Sequence, residues 1–190
     1  MGIKKAIRRA GRVTVMVLAA SAPIAAQNLP QGWQHVESKE GRFSITMPGT
    51  PQEKIITDSG VRTHLFWCND LSEAANVTVA DAPDEPADRG LKNLLQSFMT
   101  EDHINRVEDF QFDGYTGRRI EGTPSDGFGS LTVVAVAVGH RFYLLVFTTK
   151  EPIENMTDAP VFFSSFRFSD SGKVCEFHYD TVDLRPSCRR

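Results

Sequence analysis

Cysteine is scarce in this chain of 190 residues. Cys68, Cys175 and Cys188 are the only three, too few for a disulfide framework, so apolar packing must carry the stability. Long hydrophobic runs are also missing. The apolar stretch 13–26 has 14 residues and is interrupted by Pro23, short of the about 20 needed to span a bilayer as a helix. No internal repeat, low-complexity block or run of five like charges occurs, which argues against solenoids and charged tails. The chain has no Gly-x-Ser-x-Gly elbow and no His-x-x-x-His pair; its five histidines are scattered. The serine-hydrolase and helical zinc-protease patterns are therefore absent. No catalytic, cofactor or metal residue is assigned, and a non-enzymatic role is expected.

What is present is ordinary for one globular domain: 41% hydrophobic and 24% charged residues. The charge is unevenly placed. Residues 1–26 hold five of the 21 basic side chains and no acidic one, which leaves 16 basic against 24 acidic in 27–190, a balance of −8. A body that acidic is a poor partner for nucleic acid or an anionic membrane surface. The basic residues Lys4 to Arg12, the short apolar run and the small residues ending at Ala26 have the order of a cleaved signal peptide, with Gln27 as first mature residue. Arg8-Arg9 is followed by Ala10 and Gly11, where twin-arginine export wants apolar side chains, so the general secretory route is preferred. Localisation in a bacterial periplasm or outside the cell is expected, without stable membrane insertion after cleavage. Export permits a disulfide. Cys175 and Cys188 lie 13 positions apart in one polar tail and are the candidate pair, although both could remain thiols. Cys68, beside Trp67, reads as a buried small apolar residue.

After a lead segment 27–32, strands are expected at 33–37, 43–47, 53–57, 61–68, 76–81, 106–112 and 115–121, each bounded by turn residues. One helix, 87–103, carries Leu91, Leu94, Leu95, Phe98 and Met99 as a stripe. The strongest hairpin joins 131–138 to 141–149 through Gly139-His140, suiting a type II′ turn. Both arms are apolar on both faces, the mark of a central ribbon covered above and below. A short helix at 158–165, with Asp158 as its N-cap, is a second cover. The fold class is α+β: a mostly antiparallel sheet of six to eight strands sandwiched between helices. The domain occupies 33–169, followed by a polar C-terminal tail, 170–190, expected to dock loosely.

Four stretches carry a resemblance: 41–51 (Gly-Arg-Phe-Ser-Ile-Thr-Met-Pro-Gly-Thr-Pro), 114–119, 139–145 and 162–168. In that order they resemble bacterial PsbP-like domains, a superfamily that includes the extrinsic PsbP subunit of photosystem II and a small nuclear Ran-binding protein. The resemblance implies an α/β/α sandwich and a docking or assembly role, with another envelope protein as partner. It carries over no functional residue.

The remaining motifs have plain structural readings. Asp81, Asp84, Glu85 and Asp88 either complement the dipole of the helix that follows or hold calcium, though without EF-hand order. Arg118 and Arg119 are neighbours on a strand and point to opposite faces, one of them paired with a carboxylate such as Glu121. Gly127-Phe128-Gly129 precedes a strand and so does not match a phosphate loop. Cys175 and His178 have a zinc-like gap without a second pair. His64 lies four strand positions from Cys68, roughly 13 Å away, too far to activate it. The alternative to docking is a small-ligand or hydrolytic site between sheet and helix. It requires a deep cleft where two or more of His64, His140, Arg118, Arg119 or the acidic cluster converge.

Overall fold

Turn chemistry organises the strands. The computed structural model describes residues 30–58, 60–69, 73–127, 129–152, 157–179 and 183–190, and Gln31–Arg190 forms one compact unit. The expected signal peptide and residues 27–29 of the lead segment lie outside the described residues. Strands β1 (Gln34–Ser38), β2 (Phe43–Met47), β3 (Gln52–Asp58), β4 (Val61–Asn69) and β5 (Glu73–Asp81) precede helix α1 (Ala87–Glu101). Then come β6 (His103–Phe112), β7 (Tyr115–Thr123), β8 (Ser130–Val138), β9 (Arg141–Thr149), helix α2 (Asp158–Ser165), β10 (Arg167–Asp170), β11 (Lys173–Tyr179) and β12 (Leu184–Arg189). At the β8–β9 turn Gly139 has φ 60° while His140 keeps negative φ, as a type II′ turn needs. Asp113-Gly114 and Ser171-Gly172 both take positive φ at two successive residues, the type I′ signature of a two-residue hairpin.

Every strand pair is antiparallel. Seven strands form one sheet in the order β3-β4-β5-β9-β8-β7-β6, and five form a second, β1-β2-β10-β11-β12. The central ribbon is walled in on both sides. Val133, Ala135, Phe142 and Leu144 face α1 with Leu91 and Leu95. Val134, Val136, Tyr143 and Leu145 face the second sheet and α2, among Phe43, Ile45, Phe162, Phe166, Phe168 and Phe177. Alternation along a strand sends neighbouring side chains to opposite faces, and here both faces are core, so β8 is buried at all nine positions. The α+β, mostly antiparallel class is as expected. The cover on the second face differs in kind, since α2 shares it with a five-stranded sheet.

The tail expectation needs correction. The tail's described residues, 170–179 and 183–190, are not loosely docked: they supply β11 and β12, and Cys175 and Phe177 are fully buried. Average polarity hid a period-two pattern in which Cys175, Phe177 and Tyr179 face the core while Glu176 and His178 face away. Two smaller corrections concern helix ends. Helix α1 stops at Glu101 because Asp102 is already extended (φ −101°, ψ 157°) and His103 pairs with Thr123. Thr157, not Asp158, is the N-cap of α2, and Asp158 sits in the first turn, where its charge still favours the helix dipole.

A glycine marks where α1 meets the sheet. Gly90 is packed so closely that a Cβ there would overlap the ring of Phe142, itself buried. In an exposed helix Gly→Ala gains up to about 1 kcal/mol. Here Gly90→Ala is expected to lose about 1–3 kcal/mol through overpacking. A urea denaturation midpoint unchanged or raised in G90A would contradict this packing.

Candidate functional site

The cleft with the most varied chemistry lies where the β8–β9 turn, the end of β5, the β1–β2 loop and the end of β10 come together. Its volume is about 410 Å³ and its lining includes Arg42, Asp81, His140, Arg141, Tyr143 and Asp170. Strand register builds it. Asp81 and Arg141 are cross-strand partners, and the guanidinium forks onto the carboxylate, Nε to Oδ1 at 2.6 Å and Nη2 to Oδ2 at 2.9 Å. Arg141 Nη1 also donates to the Glu40 carbonyl at 3.0 Å, tying the β1–β2 loop to the hairpin. The Tyr143 hydroxyl donates to the Gly41 carbonyl at 2.9 Å, and the Tyr115 hydroxyl to Asp170 at 2.8 Å.

These contacts set the protonation states. The hydrogen bond to Asp81 holds the Arg141 cation more firmly, raising its pKa. Burial pushes Tyr143 up to about 12. Burial, then the hydrogen bond to Asp170, pushes Tyr115 up to about 12. Tyr179 is also raised, chiefly by burial. The chain has three tyrosines, so all are affected. The folded state holds each phenolic proton more tightly than the unfolded chain does. For Tyr115 and Tyr143 that contribution to stability is complete below pH 10 and is lost as pH rises from 10 towards 12. Absorbance titration at alkaline pH should show Tyr115 and Tyr143 still protonated in the native protein near pH 10. A full tyrosinate signal there without unfolding would contradict these environments.

Two basic side chains at the cleft, Arg42 and His140, are uncommitted among the described residues. Arg42 is exposed and has φ 54°, a left-handed geometry uncommon for a residue with a side chain. Its carbonyl accepts from Ser169 N at 2.9 Å, which fixes the backbone while the guanidinium stands at the rim. His140 is exposed at the turn, its carbonyl accepting from Ala82 N at 2.9 Å.

The other expected positions go elsewhere. Arg118 forks onto Asp109 (Nε to Oδ1 2.5 Å, Nη2 to Oδ2 3.0 Å), which lowers the Asp109 pKa and raises that of Arg118. With Asp88 this pair lines a second cleft of about 520 Å³ between α1 and β6–β7. Arg119 is fully buried on the opposite face, paired with Glu121. Its guanidinium lies 4.6 Å from the Tyr179 ring centre, and Nη2 reaches the Tyr179 hydroxyl at 3.2 Å. The opposite-face expectation and the Glu121 pairing both hold. His64 stands 3.0 Å from Glu53 across β3–β4; it is level in register with Val79 and Tyr143 but two strands away from the latter, and it does not line the cleft. Cys68 is buried, and desolvation pushes its thiol up to about 11, leaving little thiolate at neutral pH. The acids do not converge: Asp81 serves Arg141, and Glu85 accepts from Asn93 at 3.2 Å. Among the described residues no three His, Cys, Asp or Glu side chains gather as a metal site would require. So His140 meets Asp81 in one cleft and Arg118 meets Asp88 in another, with Asp81 already held in the Arg141 fork and Arg118 already forked onto Asp109.

Sequence reasoning did not single out Arg42, Tyr143 or Asp170 as site residues. Their chain separations conceal the meeting, and the one local signal was the Glu40-Gly41 turn before Arg42. Cys175 and Cys188 face each other across β11–β12 and are joined as a disulfide.

The two-sheet sandwich with its flanking helices is a PsbP-like fold. The chain is similar to the solution structure of cyanobacterial PsbP (CyanoP) from Synechocystis sp. PCC 6803, with a TM-score of 0.50 and 14% identity over 76% of this chain and 98% of that one. No family model matches the sequence, and no curated protein does either.

Proposed function

We propose that this chain is an exported, non-enzymatic module of the bacterial cell envelope that docks another envelope protein at the β8–β9 cleft. The carrying observation is the division of labour there. Arg141, Asp81, Tyr143 and Asp170 are tied into fixed hydrogen bonds, while Arg42 and His140 present donors outward. Fixed charges framing two exposed donors favour recognition, since a general base or nucleophile needs a free group with a pKa near the working pH. The disulfide fits an oxidising compartment, and the −8 balance of 27–190 disfavours nucleic acid. No helix among the described residues is long and apolar enough to cross a membrane.

A photo-crosslinker placed at His140 tests this reading in the native envelope. The expected result is one discrete protein adduct, lost in Arg42→Glu with the melting temperature unchanged. Diffuse labelling, or an adduct indifferent to Arg42, would count against docking at this cleft. A second reading has one observation behind it: 410 Å³ lies within the range of small-ligand pockets, about 300–1,000 Å³. A small molecule retained in native mass spectra and displaced by R42E, with no protein adduct, favours that alternative.

A further inference from the structure

Four strand edges end the two sheets among the described residues: β3 and β6 in the larger, β1 and β12 in the smaller. An open edge offers a row of unpaired backbone groups to any other strand, and proteins guard it with bulges, proline and charge. Three of the four are guarded. Strand β6 has a bulge between Ile104 and Arg106, with Arg106 and Glu108 paired on it. Strand β12 contains Pro186 between Arg185 and Arg189. Strand β1 is polar, with Gln34, His35 and Glu37. Strand β3 also carries charge, at Glu53, Lys54 and Asp58, but around an exposed apolar pair. It pairs in unbroken register with β4 from Gln52 to Asp58, has no internal proline, and exposes Ile55 at 47% and Ile56 at 41%.

The face beside it is also uncovered. Ile56 lies opposite Thr63, Lys54 opposite Leu65 and Gln52 opposite Trp67, and cross-strand partners share a face. That face is the α1 side of the sheet, because Phe66 and Cys68 point into the sandwich. Helix α1 packs on β6 to β9, at the other end of the sheet, and Leu65 and Trp67 remain partly exposed.

The sequence of this edge is complementary to itself. Read antiparallel about Ile56, the strand Lys54-Ile55-Ile56-Thr57-Asp58 sets Ile56 against its own copy, Ile55 against Thr57, and Lys54 against Asp58 twice. Lys54, Ile56 and Asp58 alternate onto one face, so the two ion pairs flank the apolar contact on the open side of the sheet. Centring on Ile55 instead sets Lys54 against Ile56 and gives neither lysine a counter-charge. A two-fold axis perpendicular to the sheet at Ile56 keeps the faces aligned and makes the Leu65 and Trp67 surfaces of both copies contiguous.

We infer that β3 is a homodimerisation edge: two copies of this chain pair antiparallel through Lys54–Asp58, joining their seven-stranded sheets into one. The interface is isologous, as a closed two-fold dimer requires. It lies on β3, remote in strand order from the β8–β9 turn, so the dimer leaves both docking clefts available and presents them in pairs.

Sedimentation equilibrium of the purified, oxidised protein tests the register by charge reversal. Wild type should reach twice the monomer mass. Lys54→Asp and Asp58→Lys, each placing like charges opposite one another twice, should weaken association by about tenfold or more. The double variant K54D/D58K restores opposite charges and should restore the dimer. A misfolding effect would not reverse in the double variant. The inference is overturned by a wild type that stays monomeric at its highest soluble concentration, by single variants that dimerise like wild type, or by a double variant that stays monomeric.

Discussion

Glu121→Leu should lower the unfolding free energy by about 3–5 kcal/mol, the usual cost of removing one partner of a buried ion pair. Arg119 is fully buried and Glu121 nearly so, and the two are i, i+2 neighbours on the inner face of β7. Removing the carboxylate takes away the ion-pair partner of a buried cation and leaves it the Tyr179 ring and hydroxyl and the charge of Asp183, a coulombic neighbour just before β12. Changing both partners to apolar residues of similar volume, Arg119→Met with Glu121→Leu, removes the charge as well as its partner. That double variant should recover most of the loss, because such replacements of buried pairs are often neutral. Urea denaturation of the three proteins decides the matter. A Glu121→Leu loss within about 0.5 kcal/mol, the size of an ordinary surface substitution, would mean that Arg119 reaches water.

Loss of the Cys175–Cys188 bond is the second large effect. Its separation of 13 residues restricts the unfolded chain by about 3 kcal/mol in the chain-entropy account. Cys175→Ala with Cys188→Ala should therefore lose about 3 kcal/mol, and reductant should lower the midpoint of wild type but not of that variant. Because β11 is core, with Cys175 and Phe177 fully buried, the loss should appear in the single global transition. A separate early transition would mean that β11–β12 unfolds as an appendage. Cys68→Ala is the control: its buried thiol bridges nothing, so reductant sensitivity should persist.

The contrast between the ribbon and the tail shows what the sequence discloses and what it conceals. The 131–149 hairpin announces itself because both arms are predominantly apolar on both faces and a Gly-led turn divides them, so central placement follows without knowing its neighbours. The stripe of α1 is readable for the same reason, although Met99 at its end is 45% exposed. The 170–190 segment carries its signal in alternate residues only, with Glu176, His178 and Arg185 raising its mean polarity, and its partner β10 is defined by tertiary pairing rather than by a run. A second sheet was therefore invisible, although the α2 part of the same cover was legible. The site behaves similarly. Glu121 as partner of Arg119 could be read from spacing on one strand. The meeting of Arg42, His140 and Asp170 depends on how the β1–β2 loop and the β10 end approach the hairpin, which no local pattern encodes. The disulfide lay between these cases: an odd cysteine count allowed one pair, and only the β11–β12 register places Cys175 beside Cys188.

The sandwich that frames the docking cleft requires the last strands to be as integral as the first. Amide hydrogen exchange on the oxidised protein measures this directly, since protection reports the free energy of opening each segment. The slowest amides should fall in β8 and β9, with Val174 to Phe177 protected to the same global limit. Fast exchange across Val174 to Phe177 beside a protected ribbon would contradict the two-sheet core and the cleft built on it.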